Sequence, residues 1–300
     1  MFLKYLRDAY IVRHLMGSNL IKLILLFLLS SATMRSQTDG FEFLPGETLF
    51  PPLLAHYQEP RTGLRKEIGS SRMKLDIGSM LEALEYRFPE STSRLQLGID
   101  FFTYALTTSN EGFRLQVDAV DGFFGGHLTF ATGSENQFIT RLRLLHVSAH
   151  FLDGHYDGTT SSWKGGRDPI PYTRDFGELI FAYNLDTLTS RVYGGFGYAT
   201  LVRPENIERF TYHLGAEFCH ALGGAVFGKP FNVFVAADLT ISGIPEYQGT
   251  SNLEFGIKFG PMRKSGIKIY GGYYNGYEVF GQYYDVLTEN WGIGFAFDFW

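Results

Sequence analysis

From Met73 onward, apolar and polar residues alternate with a period of two in segments that recur every roughly 15–20 residues. The alternation predicts strands at 73–87, 94–106, 112–120, 123–132, 137–151, 176–185, 190–201, 207–220, 231–242, 250–260, 266–275 and 288–300. It is clearest late in the chain. Phe231, Val233, Val235, Ala237, Leu239 and Ile241 alternate with Asn232, Phe234, Ala236, Asp238 and Thr240. Trp291, Ile293, Phe295, Phe297 and Phe299 alternate with Gly292, Gly294, Ala296 and Asp298.

A soluble sandwich and a membrane barrel both produce this pattern, with opposite faces wet. Three features favour the barrel. The segments approach the roughly 9–11 residues a strand needs to cross a bilayer. Their apolar faces are rich in aromatic residues, as interface girdles require. The chain also opens on an export signal: Lys4, Arg7, Arg13 and Lys22 flank the apolar run Leu23–Leu29, and Ser30-Ser31-Ala32 follows. The expected fold is therefore all-β, a transmembrane antiparallel barrel of about twelve strands in the outer membrane of a Gram-negative bacterium. Residues 1–36 are read as signal peptide, 37–72 as a periplasmic lead-in and 73–300 as barrel. An even strand count puts both ends in the periplasm and the long linker 152–175 outside, together with the other linkers after odd-numbered strands. The lead-in carries Pro45, Pro51, Pro52 and Pro60, which exclude a central strand. It is expected to be irregular and to pack on one end of the barrel, with a functional plug as the alternative.

Composition narrows the chemistry. The net charge is −5 without a basic block, so nucleic acid is not an expected partner. The bilayer is, with the barrel-assembly machinery during insertion. The single cysteine, Cys219, excludes an internal disulfide framework and a C-x-x-C motif, and reads as a small packing residue. Gly194-Gly195-Phe196-Gly197 and Gly271-Gly272 lie in strands with no helix following, so they allow bending rather than phosphate binding. No cofactor is implied.

The one stretch that looks like chemistry is 137–157, QFITRLRLLHVSAHFLDGHYD. Its apolar phase slips at Leu144–Leu145. A β-bulge there gathers Arg141, Arg143, His146, Ser148 and His150 on one side, facing the lumen. Without a bulge, His146, Ser148 and His150 share a face with Leu142 and Leu144. His146 and Ser148, two apart, lie within about 7 Å, a workable spacing for base and nucleophile. Glu178, on the lumenal face of the next strand, is the candidate to orient the imidazole, and His150, Arg141 and Arg143 are candidate binding residues. The bulged register brings the acid to the pair but takes Ser148 away from lipid. The competing reading is a lumenal hydrogen-bond network that also uses His213, Glu217, Asp238, Glu254 and Lys258. A metal site at His150, Asp153, His155 and Asp157 has suitable ligand types but no standard spacing.

Phe50-Pro51-Pro52-Leu53-Leu54 with Glu59-Pro60-Arg61, Phe124-Gly125, His146-Val147-Ser148-Ala149-His150, Arg191-Val192-Tyr193-Gly194-Gly195 with Gly197-Tyr198, and Gly281-Gln282-Tyr283-Tyr284 together resemble a bacterial family of outer-membrane barrels known as a domain of unknown function. The resemblance implies an outer-membrane location and no activity. The family usually continues the histidine motif with Leu-Gly-Asp-Glu, where this chain has Phe151-Leu152-Asp153-Gly154. The His146-x-Ser148 pair also resembles that of outer-membrane phospholipases and lipid A deacylases, which implies His146 as base and Ser148 as nucleophile. Those enzymes usually follow the serine with asparagine, and here it is Ala149. The leading expectation is a non-enzymatic barrel serving structure or small-solute passage. The alternatives are a lipid acyl hydrolase and a surface binding module built on loop 152–175 with Trp163.

Overall fold

The computed structural model describes residues 40–110, 114–185, 190–226 and 228–299. The expected signal segment, the expected turn at 186–189 and Trp300 lie outside them. The described chain forms a closed barrel of 12 antiparallel strands. These are β1 (Thr62–Glu67), β2 (Arg72–Arg87), β3 (Arg94–Asn110), β4 (Arg114–Thr132), β5 (Phe138–Phe151), β6 (Tyr172–Asn184), β7 (Arg191–Arg203), β8 (Phe210–Val226), β9 (Lys229–Gly243), β10 (Tyr247–Phe259), β11 (Gly266–Tyr277) and β12 (Leu287–Asp298). Each pairs with its neighbours in sequence, and β12 closes on β1 from Phe297↔Thr62 to Gly292↔Glu67. Closure leaves no open strand edge, the condition for a sheet to stand in hydrocarbon.

The strand total matches the sequence pattern, but two strands differ. Residues 62–67, assigned above to the lead-in, form β1; the segment is short and mostly polar, so alternation does not reveal it. The expected strands 112–120 and 123–132, separated at the turn-like Asp121-Gly122, merge over the described residues into the single strand β4. Asp121 is an inward-facing residue there, and its carboxylate accepts a hydrogen bond from Gly281 N at 2.8 Å. The added strand also corrects the linker assignment. Linker 88–93 lies at the end that holds Thr62 and Asp298, the terminal end, while 152–171 and 278–286 lie at the opposite, loop end.

The polarity is that of a membrane barrel. Phe101, Leu144, Leu214 and Ile293 are each more than half exposed on the outer wall, whereas Arg141, Arg143, Glu85 and Gln96 are almost fully buried inside. An outer surface of this kind meets acyl chains rather than water.

The lead-in does not rest on one end; it enters the lumen. Phe50, Leu53, Ala55, His56 and Glu59 are buried there. Leu49, Phe50 and Leu53 pack with Ala131, Ile139, Ile180, Ala182 and Tyr193. The Phe50 ring lies under the guanidinium groups of Arg141 and Arg191, at 4.3 and 4.9 Å. The prolines that forbid strand pairing leave backbone groups for the wall to satisfy. Arg191 donates to Pro51 O and Pro52 O at 2.9 and 3.1 Å, and Leu54 N donates to Glu217 at 2.6 Å. At the loop end an aromatic cluster that includes Phe102, Tyr104, Phe123, Phe151, Tyr172 and Phe280 seals the barrel. Cys219 is buried against Phe234 and Ala236, as a packing residue.

Candidate functional site

Strand β5 runs in continuous register with both neighbours, with no bulge at Leu144–Leu145. Strict alternation therefore holds. Ile139, Arg141, Arg143, Leu145 and Val147 point inward, and Leu142, Leu144, His146, Ser148 and His150 point outward. The expected gathering of His146, Ser148, His150 and Glu178 inside the barrel does not occur. Glu178 is buried in the lumen, and the proposed binding set is divided by the wall, with His150 outside and Arg141 and Arg143 inside.

The outer row has an acid of its own. Asp175 of β6 stands opposite His146 in the ladder, and its Oδ1 lies 2.5 Å from His146 Nδ1. An imidazole that donates from Nδ1 keeps Nε2 available as a base. Ser148 is the next residue on that face, and among the described residues its hydroxyl makes no side-chain hydrogen bond. Phe124 of β4 packs on the His146 ring at 4.7 Å. Ser148 is flanked in the ladder by Thr173 and by Gly122, and a Cβ at Gly122 would meet nothing within 4 Å. The wall is thus hollowed beside the hydroxyl. The strand alternation above starts β6 at residue 176 and leaves Asp175 in a loop. Asp175 has the same parity as Leu179 and Phe181, so carrying the alternation upstream would have found it.

Inside, the plug supplies charges that the wall clamps. Glu59 pairs with Arg141, at 3.0 Å for one contact, and with Arg143 at 3.3 Å. Arg143 Nη2 reaches Glu178 Oε1 at 2.9 Å, too obliquely for a hydrogen bond, so that contact is an ion pair. Arg61 pairs with Glu254 at 2.8 Å. Burial alone would raise the Glu59 pKa, but Arg141 and Arg143 outweigh it and hold the carboxyl below its ordinary value. With the folded value depressed, the stabilisation from Glu59 is present at neutral pH and is lost as pH falls through that lower value.

The other plug anchor is His56. Its Nδ1 lies 3.3 Å from Asp238 Oδ1, and its Nε2 lies 3.8 Å from Glu178 Oε2. His213 Nε2 of β8 approaches the same Glu178 oxygen at 3.4 Å. The alternative metal set of His150, Asp153, His155 and Asp157 does not assemble. His155 is buried beneath the cap, 2.7 Å from Asp118 and stacked on Phe151, while His150 is exposed on the outer wall. Trp163 lies against the same stack, and Gln282 binds Ile170 N and O at 3.1 and 2.7 Å. Loop 152–171 is thereby tied into the cap, and it is shorter than the expected 152–175 because the next strand begins at Tyr172.

Residues 41–299 match the family model described as "Protein of unknown function (DUF1207)". The chain belongs to the DUF1207 family. No curated protein matches its sequence. Among solved structures, outer membrane phospholipase A from Escherichia coli is similar at 14% identity and TM-score 0.48, covering 85% of this chain and 98% of that one. The β domain of the Bordetella autotransporter BrkA has 14% identity and TM-score 0.41, covering 80% and 99%. OmpT, an outer membrane protein of Vibrio cholerae, has 12% identity and TM-score 0.33, covering 79% and 94%. Within this DUF1207 chain, three of the segments that carried the resemblance mark distinct parts of the structure. Residues 50–61 are the plug, 146–150 the outer row, and 281–284 the cap, where Gln282 also donates to Ala149 O at 2.8 Å.

Proposed function

We propose that this DUF1207 protein is a plugged barrel of the bacterial outer membrane that hydrolyses lipid acyl esters at its outer wall. The observation that carries the reading is the contact between Asp175 and His146 on the lipid-facing side of the strand that presents Ser148. Ionisable groups on the lipid side of a barrel are costly, so an acid and a histidine in line with a serine there call for a use. The pair Tyr198–Phe210, with ring centroids 5.0 Å apart, lies on the outer wall close by. Tyr198 is level with Gly177 and Leu144, so His146 and Asp175 stand about 7 Å nearer the loop end. Aromatic girdles mark the interface, and that depth is where acyl ester bonds lie.

The chemistry follows from the atoms present. Ser148 Oγ attacks the ester carbonyl carbon while His146 Nε2 takes the hydroxyl proton, and Asp175 stabilises the resulting imidazolium. The bond from acyl carbon to alkoxy oxygen breaks, and the leaving alcohol receives that proton. Water then attacks the acyl-serine with His146 again as base, which releases the fatty acid and restores Ser148. The bilayer supplies the substrate. The barrel-assembly machinery is the partner for insertion, after export directed by residues 1–36, and the termini lie in the periplasm with loop 152–171 outside. The filled lumen argues against solute passage in the state seen here. Refolded protein in mixed micelles of phospholipid and detergent is expected to release fatty acid, and Ser148→Ala to lower that rate by at least about 10³-fold. Equal release by wild type and Ser148→Ala, with both folded, would remove the reading.

A further inference from the structure

The plug and the wall meet at a second constellation that the outer-wall reading does not use. We propose that His56, Glu178 and His213 bind a divalent transition cation of the zinc type, which staples the plug to the barrel. The three donors come from three places, His56 from the plug, Glu178 from β6 and His213 from β8. One ligand atom from each can be chosen so that all lie within 4.8 Å of one another, and all three residues are buried.

The atoms are oriented for an ion. Glu178 divides its two oxygens, with Oε1 facing Arg143 at 2.9 Å and Arg141 at 3.4 Å, and Oε2 facing the imidazoles. His213 Nε2 and His56 Nε2 stand 3.4 and 3.8 Å from that one oxygen. Zinc bonds of 2.0–2.1 Å in tetrahedral array put neighbouring donors about 3.3 Å apart, so small movements complete the site. The remaining ring nitrogens are held from behind. His56 Nδ1 contacts Asp238 at 3.3 Å, and His213 Nδ1 contacts Thr240, also at 3.3 Å, whose hydroxyl donates to Asp238 at 2.9 Å. Outer hydrogen bonds of this kind fix the tautomer that aims Nε2 at a metal.

An independent observation points to a ligand at this place. His56 Nε2 is a buried polar nitrogen without a hydrogen-bond partner, and its residue is 2% exposed. Leaving a buried polar atom of that kind unpaired is costly, and coordination would remove that cost. A proton on His56 is the rival occupant. It would reach Asp238 and Glu178 but leave His213 Nε2 aimed at the same carboxylate oxygen, where a cation serves both rings at once. A cavity of about 10 Å³, the lower limit for one water, is bordered by Glu178 and His213 but not by His56.

The test uses the mature chain without a histidine tag, refolded in detergent, stripped with a chelator and titrated with Zn²⁺ by calorimetry and elemental analysis. The expected result is about one tightly held ion per chain. Binding should fall by at least about 10-fold in both His56→Gln and His213→Gln and persist in His150→Ala, which alters only the outer wall. Folding of each variant is checked by its unheated gel mobility. Should the lumenal variants not fold, Co²⁺ added to wild type is expected to give the visible absorption of a tetrahedral nitrogen–oxygen site. Folded wild type that takes up no Zn²⁺ and gives no such Co²⁺ spectrum would overturn the proposal. So would binding undiminished in both histidine variants. Neither result depends on acyl hydrolysis, so this site and the outer-wall site stand or fall separately.

Discussion

Glu59→Gln is expected to lower the stability of the barrel by about 3–5 kcal/mol and to free the plug. Glu59 is the plug residue held by both Arg141 and Arg143, and both guanidinium groups are buried. Loss of its charge leaves them with Glu178 as the acid in contact, so two buried cations would share one carboxylate. The cation–ring contact that seats Phe50 under Arg141 would be disturbed as well. Thermal unfolding in detergent, followed by the shift between folded and unfolded gel mobility, reads the stability loss. Planar bilayers read the plug: wild type should be silent and the variant should show conductance steps. An unchanged melting temperature and a silent variant would mean that the ion cluster does not retain residues 48–59.

Asp175→Asn is expected to lower acyl hydrolysis by roughly 10³–10⁴-fold while leaving the barrel folded. The amide keeps the volume but can present its N–H to His146 Nδ1, which favours the tautomer protonated at Nε2 and removes the base that Ser148 requires. The side chain is half exposed on the outer wall, so the substitution disturbs no core packing. Glu178→Gln discriminates, because it acts on the lumenal network and has no contact with His146. If Glu178→Gln abolished turnover in a folded barrel and Asp175→Asn did not, the acid assignment made here would be reversed.

Much of the architecture could be read from alternation alone, because a membrane barrel imposes it on nearly every strand. Phe231–Ile241 and Trp291–Phe299 show lipid-facing and lumen-facing positions without ambiguity, and the structure orients the described ones as expected. Segments with another duty were harder to read. β1 carries Arg65, which donates to Gly272 O on the wall, and Lys66, which donates to Ser70 O in the following turn, so its six residues lack an apolar face. Asp121-Gly122 has turn chemistry, yet Asp121 is an inward anchor for the cap. Leu145 mimics a phase slip because it belongs to the apolar seal at the loop end, where inward residues are no longer polar. That local reversal is what makes a bulged register, with Glu178 as the acid, compatible with the sequence. The His56 cluster was invisible for a different reason. His56 lies more than a hundred residues before Glu178 and His213 and meets them only when the lead-in enters the lumen.

The outer-wall site is tested most directly by labelling folded protein in lipid micelles with an alkyl fluorophosphonate and mapping the adduct by mass spectrometry. The account predicts a single adduct on Ser148, absent in His146→Ala and strongly slowed in Asp175→Asn. Folded wild type that remains unlabelled in lipid, or that is labelled at another residue with Ser148 intact, would contradict it.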